Sequence, residues 1–259
     1  MKPMTKTVTA AVLLIGDELL SGRTQDTNLK TIATFIAPLG LQVREARVVS
    51  DEPEAIAEAV NALRSACDYV FTTGGIGPTH DDKTADAMAL AFGVSIDVRD
   101  DAKAILVAHY GGEDKLNEAR LRMARIPQGA SLIANPVSKA PGFQLGNVFV
   151  MAGVPSIMRG MLEDVGPRLH GGSVIETVTL RCKGLREGDL AAGFAAIQAR
   201  LPGVSLGSYP WFIPGGDFGV HLVARSQDAP TLAEAGRAME ALARDLGAIP
   251  ERLGADGGT

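Results

Sequence analysis

The sequence predicts an α/β protein: a three-layer α/β/α unit on a mainly parallel sheet, followed by a small α+β unit. Three observations carry this. From Val8 to about Leu169, short apolar runs rich in β-branched residues alternate with segments at helical spacing, the β-α-β-α order that builds a parallel sheet with helices on both faces. The loops richest in glycine and acid, "GDELLSG" and "GGIGPTHDD", both follow strands, and ligands in such sheets bind at the carboxyl ends of the strands. A composition break at "LHGGSV" sets expected boundaries of 1–170 and 171–252, with a disordered tail over 253–259.

The first strand is "VTAAVLLIG", nine residues ending at Gly-Asp-Glu. It is far short of the roughly 20 residues that span a bilayer, and it reads as a buried strand rather than a leader. "DTNLKTIATFIAPLG" follows as a helix, with Asp26 or Thr27 as N-cap and Gly40 closing it. After the strand "LQVREARVV", the helix "EPEAIAEAVNALRSA" opens at Pro53 and stripes Ile56, Val60 and Leu63 along one face. "CDYVFTTGG" runs into the glycines and "KTADAMALAFG" resumes helical spacing. Residues 97–125 read as two helices split by Gly111 and Gly112, "GASLIANPVSKAPGFQLGNVFVMAGVPS" as extended, and a further helix opens at Pro155. The second unit reads as β-α-β-β-α. One helix carries Leu190, Phe194, Ile197 and Leu201, and the other Leu232, Met239, Leu242 and Leu246.

Composition narrows the classes of function. The 259 residues are 46% hydrophobic and 21% charged, with net charge −5, so broad capture of nucleic acid or anionic membrane is not expected. A cytoplasmic protein is expected. Cys67 and Cys182 form no CxxC pair and read as buried structural thiols.

The segment "TTGGIGPTHDDKT", Thr72–Thr84, carries the chemistry. A glycine turn leading into a helix offers backbone N–H groups to phosphate, yet Asp81 and Asp82 stand where the anion would sit. The glycines could instead only make a tight turn, with Asp81 or Asp82 capping the helix. Otherwise the acids hold a hard cation such as Mg²⁺ or accept hydrogen bonds from a ligand. Asp17 and Glu18 join them if the two loops adjoin. Lys83 either offsets their charge, making it a catalytic candidate beside Asp81 and Asp82, or is a solvated surface lysine. His80 is an acid–base candidate or a loop residue. Trp211, beside Tyr209 and Phe212, reads as a satellite hydrophobic cluster, with a stacking platform as the alternative.

Taken together and in this order, "GDELLSG", "DTNLK", "TTGGIGPTHDDKT", "NPVSKAPGF" and "GVPS" resemble the molybdopterin-binding (MoaB/Mog-type) domain family. The likeness is to the form that opens CinA-type proteins and to the similar domain of eukaryotic FAD synthases. It covers residues 8 to about 170. The resemblance implies a MoaB/Mog-like fold and a pocket lined by Gly74, Gly75, Ile76, Gly77, Thr79, Asp81, Asp82 and Thr84. Ser21 and Asn28 would come from the first loop, with Asn135, Ser138, Gly142, Pro155 and Ser156 closing the pocket. It implies a molybdopterin or adenine-nucleotide ligand, a homodimer or homotrimer, and in some members cleavage of ADP-ribose or FAD with a divalent cation (Mg or Co). Asp17, Glu18 and Asp82 would be the metal ligands. The second unit resembles the KH-like unit that follows in CinA. Its "GLREG" turn is one residue too long for a GxxG loop, and it carries eight Lys/Arg against ten Asp/Glu from Val174 on, which disfavours RNA.

Overall fold

The computed structural model describes residues 7–254. The chain divides into two compact units, one running to Ser173 and the other from Val174.

The first unit contains β1 (Val8–Ile15), α1 (Asp17–Leu20), α2 (Asn28–Ile36), β2 (Leu41–Val49), α3 (Pro53–Ala66), β3 (Tyr69–Thr73) and α4 (Thr84–Phe92). It continues through β4 (Ile96–Val98), α5 (Asp100–Tyr110), α6 (Glu118–Arg122), β5 (Arg125–Pro127), β6 (Ser131–Ile133), β7 (Gly142–Leu145), β8 (Val148–Met151) and α7 (Pro155–Val165). The central sheet has the order β2-β1-β3-β8-β7-β6. Its first three pairings are parallel and the last two antiparallel.

β1 shows why the sheet carries helices on both faces. Its residues are buried from Ala10 to Ile15, as expected of a strand covered on both sides. Successive side chains point to opposite faces. Ala11, Leu13 and Ile15 meet Ile56, Val60 and Leu63 of α3, Met88 of α4 and Leu106 of α5. Ala10, Val12 and Leu14 meet Ile32 and Ile36 of α2 and Met158, Met161 and Leu162 of α7. Two apolar layers therefore clamp one sheet, and all of its parallel strands end at the same edge.

The expected local signals are present. Asp26, rather than Thr27, supplies the capping carboxylate of α2, accepting from the Asn28 and Leu29 N–H groups at 3.0 and 3.1 Å. Gly40 sits at φ 78°, Pro53 occupies the first turn of α3 and Pro155 opens α7. Two readings change. Residues 96–98 form β4, paired with β5 in a separate two-stranded sheet, and α5 starts only at Asp100. Strands this short show no periodicity of their own. Neither Asp81 nor Asp82 caps α4, because Lys83 occupies the N-cap position without a side-chain cap bond. The sheet is mainly parallel as expected, with an antiparallel β6–β7–β8 edge.

The second unit contains β9 (Glu176–Lys183), α8 (Glu187–Arg200), β10 (Ser205–Phe212), β11 (Phe218–Ser226), α9 (Ala229–Asp245) and β12 (Pro250–Leu253). Its sheet, ordered β10-β11-β9-β12, is antiparallel throughout. The order is thus β-α-β-β-α-β, one strand more than expected. "PERL" has no apolar alternation, and its place is fixed by backbone pairing to β9 and by Arg252 Nε donating to Glu240 of α9 at 2.6 Å. Leu253 therefore belongs to a strand, and the expected tail beyond Gly254 lies outside the described residues. Leu190, Ile197, Leu201, Leu232 and Met239 are buried as expected, while Leu246 lies past the end of α9 and is exposed. Trp211 is not in that core: Arg181 covers its ring at 4.3 Å, a cation–π contact rather than an apolar cluster. Both cysteines are free and buried, and burial pushes the Cys182 thiol up to about 11. Among the described residues no helix is long and apolar enough to cross a membrane.

Candidate functional site

The carboxyl ends of β1 and β3 come together through glycine. A Cβ on Gly74 would lie 2.2 Å from the Ile15 carbonyl oxygen, and Gly74 has φ 111°, so only glycine lets the third-strand loop seat against the end of β1. Gly74 N–H donates to Met151 O at 3.1 Å, which ties the same point to the end of β8. Gly75, at φ 65°, leaves no room for a Cβ beside the Thr84 hydroxyl.

Beyond Gly75 the loop is locked by its own polar groups. Thr84 is fully buried, donating Oγ1 to Gly74 O at 2.9 Å and its N–H to Gly75 O at 3.0 Å. Asp82 Oδ2 accepts from Thr79 N–H at 2.8 Å and from the Thr79 hydroxyl at 2.5 Å. Between these locks stand Gly75, Ile76 and Gly77, and among the described residues none accepts a hydrogen bond from their three N–H groups. Successive unpartnered amides in a turn make a concave anion site.

The acids gather beside this turn. Asp51, in the loop after β2, accepts the Asp17 N–H at 2.9 Å and links the first two strand-end loops. Burial first, then the charges of Asp17, Glu18 and Asp81, push the Asp51 carboxyl above its ordinary value, against the pull of the Asp17 N–H. All four acids therefore share one end of the sheet. Asp81 itself is exposed, and the Thr79 hydroxyl, then its own backbone, hold it below the usual carboxylate value. His80 is 98% exposed and 3.9 Å from Asp81. Lys83 reaches toward Glu52 at 3.9 Å.

The remaining expected site residues split in two. Asn28 is buried under the site, donating Nδ2 to Gly153 O at 2.7 Å, and its Oδ1 has no partner among the described residues. An unpaired buried amide oxygen is costly to the fold. Pro155 and Ser156 are exposed at the start of α7. Asn135 and Ser138 instead hold their own turn, with Asn135 Oδ1 accepting the Val137 and Ser138 N–H groups and Nδ2 reaching Ser138 Oγ at 2.7 Å. Gly142 is a packing glycine whose Cβ would lie 2.3 Å from Val150 O. Ser21 Oγ is occupied locally, 3.3 Å from Glu18 O.

The expected metal set is not assembled. Among the described residues no three His, Cys, Asp or Glu side chains converge as a metal site, and the Asp82 carboxylate is turned to Thr79. Asp51 escaped the sequence reading because "SDEPE" passes for an ordinary helix start. The signal that finds it is position: an acid immediately after a parallel strand, at the edge where the other loops gather.

Replacing Asp51 by Asn keeps an acceptor for the Asp17 N–H and removes the repelled charge. The folded chain holds the Asp51 proton to higher pH than the unfolded chain. Its stabilising contribution is therefore present below the unfolded value, about 4, and is lost as pH rises through the folded value. Asp51→Asn is expected to raise the melting temperature at pH 7 by no more than about 2–4 °C, a gain that fades below about pH 4. Thermal unfolding at both pH values checks this.

A mostly parallel sheet with helices on both faces, and with glycine-rich and acidic loops at its strand ends, defines a three-layer α/β domain. The family model described as a probable molybdopterin binding domain matches residues 11–171, and the FAD synthase middle domain matches residues 176–250. The chain belongs to the molybdopterin-binding domain family, in the form that CinA-like proteins share. A CinA-like protein of Citrifermentans bemidjiense is 37% identical over 87% of this chain and 56% of its own length. One from Desulfosudis oleivorans is 36% identical over 76% and 51%. The chain thus spans about half the length of these relatives. A protein of Pyrobaculum calidifontis is 33% identical over 92% of this chain and 94% of its own. Among solved structures, the CinA protein of unknown function from Thermoplasma acidophilum matches at 36% identity and TM-score 0.60, covering 63% of this chain and 99% of that one.

Proposed function

We propose that the first unit binds a phosphorylated ligand of the pterin or adenine-nucleotide class, its phosphate on the Gly75–Gly77 amides. The observation that carries this reading is the run of three unpartnered N–H groups, fixed between the Thr84 and Asp82 locks. Backbone donors held in advance need no ordering when the anion arrives. Family membership supports the ligand class, since the matching model is described by molybdopterin binding. The acids Asp17, Glu18 and Asp51 then face the ligand's hydroxyl and amino hydrogens, which suits a nucleotide or pterin better than inorganic phosphate.

A second reading, cleavage of a bound pyrophosphate, is favoured by the Asp51 group. Asp51 accepts the Asp17 N–H at 2.9 Å, so the first two strand-end loops present acids at one edge of the sheet, where a bound pyrophosphate would lie. The side chains do not themselves form a metal site, so no step through a metal is assigned. ³¹P NMR with ADP-ribose and FAD, with and without Mg²⁺ or Co²⁺, tests both. Binding broadens and shifts the pyrophosphate resonances, and Asp82→Asn, which weakens the loop lock, is expected to reduce affinity about tenfold, equivalent to about 1.4 kcal/mol. Resonances left unmoved by excess protein would sink the binding reading. AMP appearing only with the cation would establish hydrolysis.

A further inference from the structure

The third-strand loop is shaped from within but placed from outside. Asp82 N–H donates to Thr79 O at 3.2 Å, and the Asp82 carboxylate takes both the Thr79 N–H and the Thr79 hydroxyl. These bonds close a turn on itself, and none of them fixes where the turn stands. The amides nevertheless depend on Asp82, because its carboxylate lies against Gly77, where a Cβ would come 2.7 Å from Oδ2. Whatever holds Asp82 therefore holds the outer end of the Gly75–Gly77 run. Among the described residues, two side-chain contacts tie residues 77–83 to the chain outside the loop and α4. Lys83 stands 3.9 Å from an exposed Glu52, a pair of little worth in water. Arg122, the last residue of α6, donates Nε to the Asp82 carbonyl at 3.1 Å, and a charged donor makes the stronger kind of hydrogen bond.

The base of Arg122 is fixed. Asn117 caps α6 by accepting the Arg120 N–H at 2.9 Å, and Ala124 and Ile126, just beyond, are buried in the core. Its far end lies 3.8 Å from Asp86, which Arg125 of β5 grips through both carboxylate oxygens at 2.6 and 2.8 Å. Three carboxylates, Asp82, Asp86 and Glu118, stand beside these two guanidinium groups, so the cluster offers an anion no excess positive charge. Arg122 is therefore placed to act on the loop's backbone rather than to attract a ligand. We propose that Arg122 is a positioning residue: its Nε–H, held by α6, sets Asp82 and through it the Gly75–Gly77 amides. The excursion from β4 to β5 gains a role in this arrangement, because it carries the arm that steadies the loop. The consequence for ligand affinity rests on the phosphate reading above, while the restraint on the loop does not.

Two substitutions separate the donor from the charge. Glutamine carries an amide N–H on Cδ, where arginine carries Nε, and has no charge; methionine has similar length and no donor. ¹⁵N relaxation of the unliganded chain reads the loop, and calorimetric titration with ADP-ribose reads the site. Order parameters over residues 77–83 are expected near 0.85 in the parent and below about 0.6 in Arg122→Met. Arg122→Met is also expected to bind ADP-ribose about tenfold more weakly, the loss of about one hydrogen bond to a charged group. Arg122→Gln is expected to restore the order of the loop and to bring affinity back to within about threefold of the parent. Parent-like order parameters in Arg122→Met would overturn the inference whether or not the ligand binds. Arg122→Gln behaving like Arg122→Met would overturn it too, by showing that the charge acts and not the donor. A parent that binds no ADP-ribose, with the loop loosened in Arg122→Met and restored in Arg122→Gln, would sink the phosphate reading and uphold the restraint.

Discussion

Gly74→Ala is expected to destabilise the first unit by on the order of 3 kcal/mol and to abolish ligand binding. The methyl group would fall 2.2 Å from the Ile15 carbonyl oxygen at φ 111°, a backbone conformation that alanine rarely adopts. The contact is backbone against backbone, so no side-chain rotation relieves it. Relief requires the third-strand loop to lift from the end of β1, which separates the amide turn from the acids. Far-UV circular dichroism on heating is expected to show an early transition for the first unit. Fluorescence of Trp211, the sole tryptophan and a residue of the second unit, is expected to keep its parent transition. A parent-like far-UV curve would show that the two strand ends are not held together at Gly74.

Phe71→Ala is expected to cost about 3–5 kcal/mol by a different route. Phe71 is fully buried at the middle of β3 and stacks on Phe149 of β8 with ring centroids 5.4 Å apart. Its removal opens a void in the layer that α2 and α7 cover, and the strands that frame it cannot close on the space. The effect is on stability alone, because the loop begins beyond Thr73 and keeps its locks. Chemical denaturation measures the loss, and titration of the still-folded variant at low temperature is expected to give parent affinity. The two substitutions therefore separate: one removes the site together with stability, the other stability alone.

The difference between these cases tracks what was legible in the sequence. The central strands announce themselves, because "VTAAVLLIG" and "YVFTT" are continuous apolar or β-branched runs that only a doubly covered strand explains. Gly74 and Gly75 were legible as a turn, and both have positive φ. Their closeness to Ile15 and Thr84 was not, since it depends on strand register. Thr84 was read as facing the ligand, but its hydroxyl closes the loop on Gly74 O. Asp82 was read as a metal ligand and turns instead to Thr79. In both cases a hydrogen bond within the loop, spanning ten residues for Thr84 and three for Asp82, takes up the side chain, as short polar side chains in turns commonly do. Asp51, Arg122 and Arg125 reach the loop from distant parts of the chain, and no spacing within a motif could have pointed to them. β12 was hidden for a related reason, because an edge strand recruited by backbone pairing needs no apolar pattern.

Amide hydrogen exchange with and without ADP-ribose tests the central claim, that separate strand-end loops form one ligand site. Protection is expected to rise together in residues 16–22, 50–52 and 74–83, with the second unit unchanged. Protection confined to one of these segments, or rising only from Val174 on, would contradict the account.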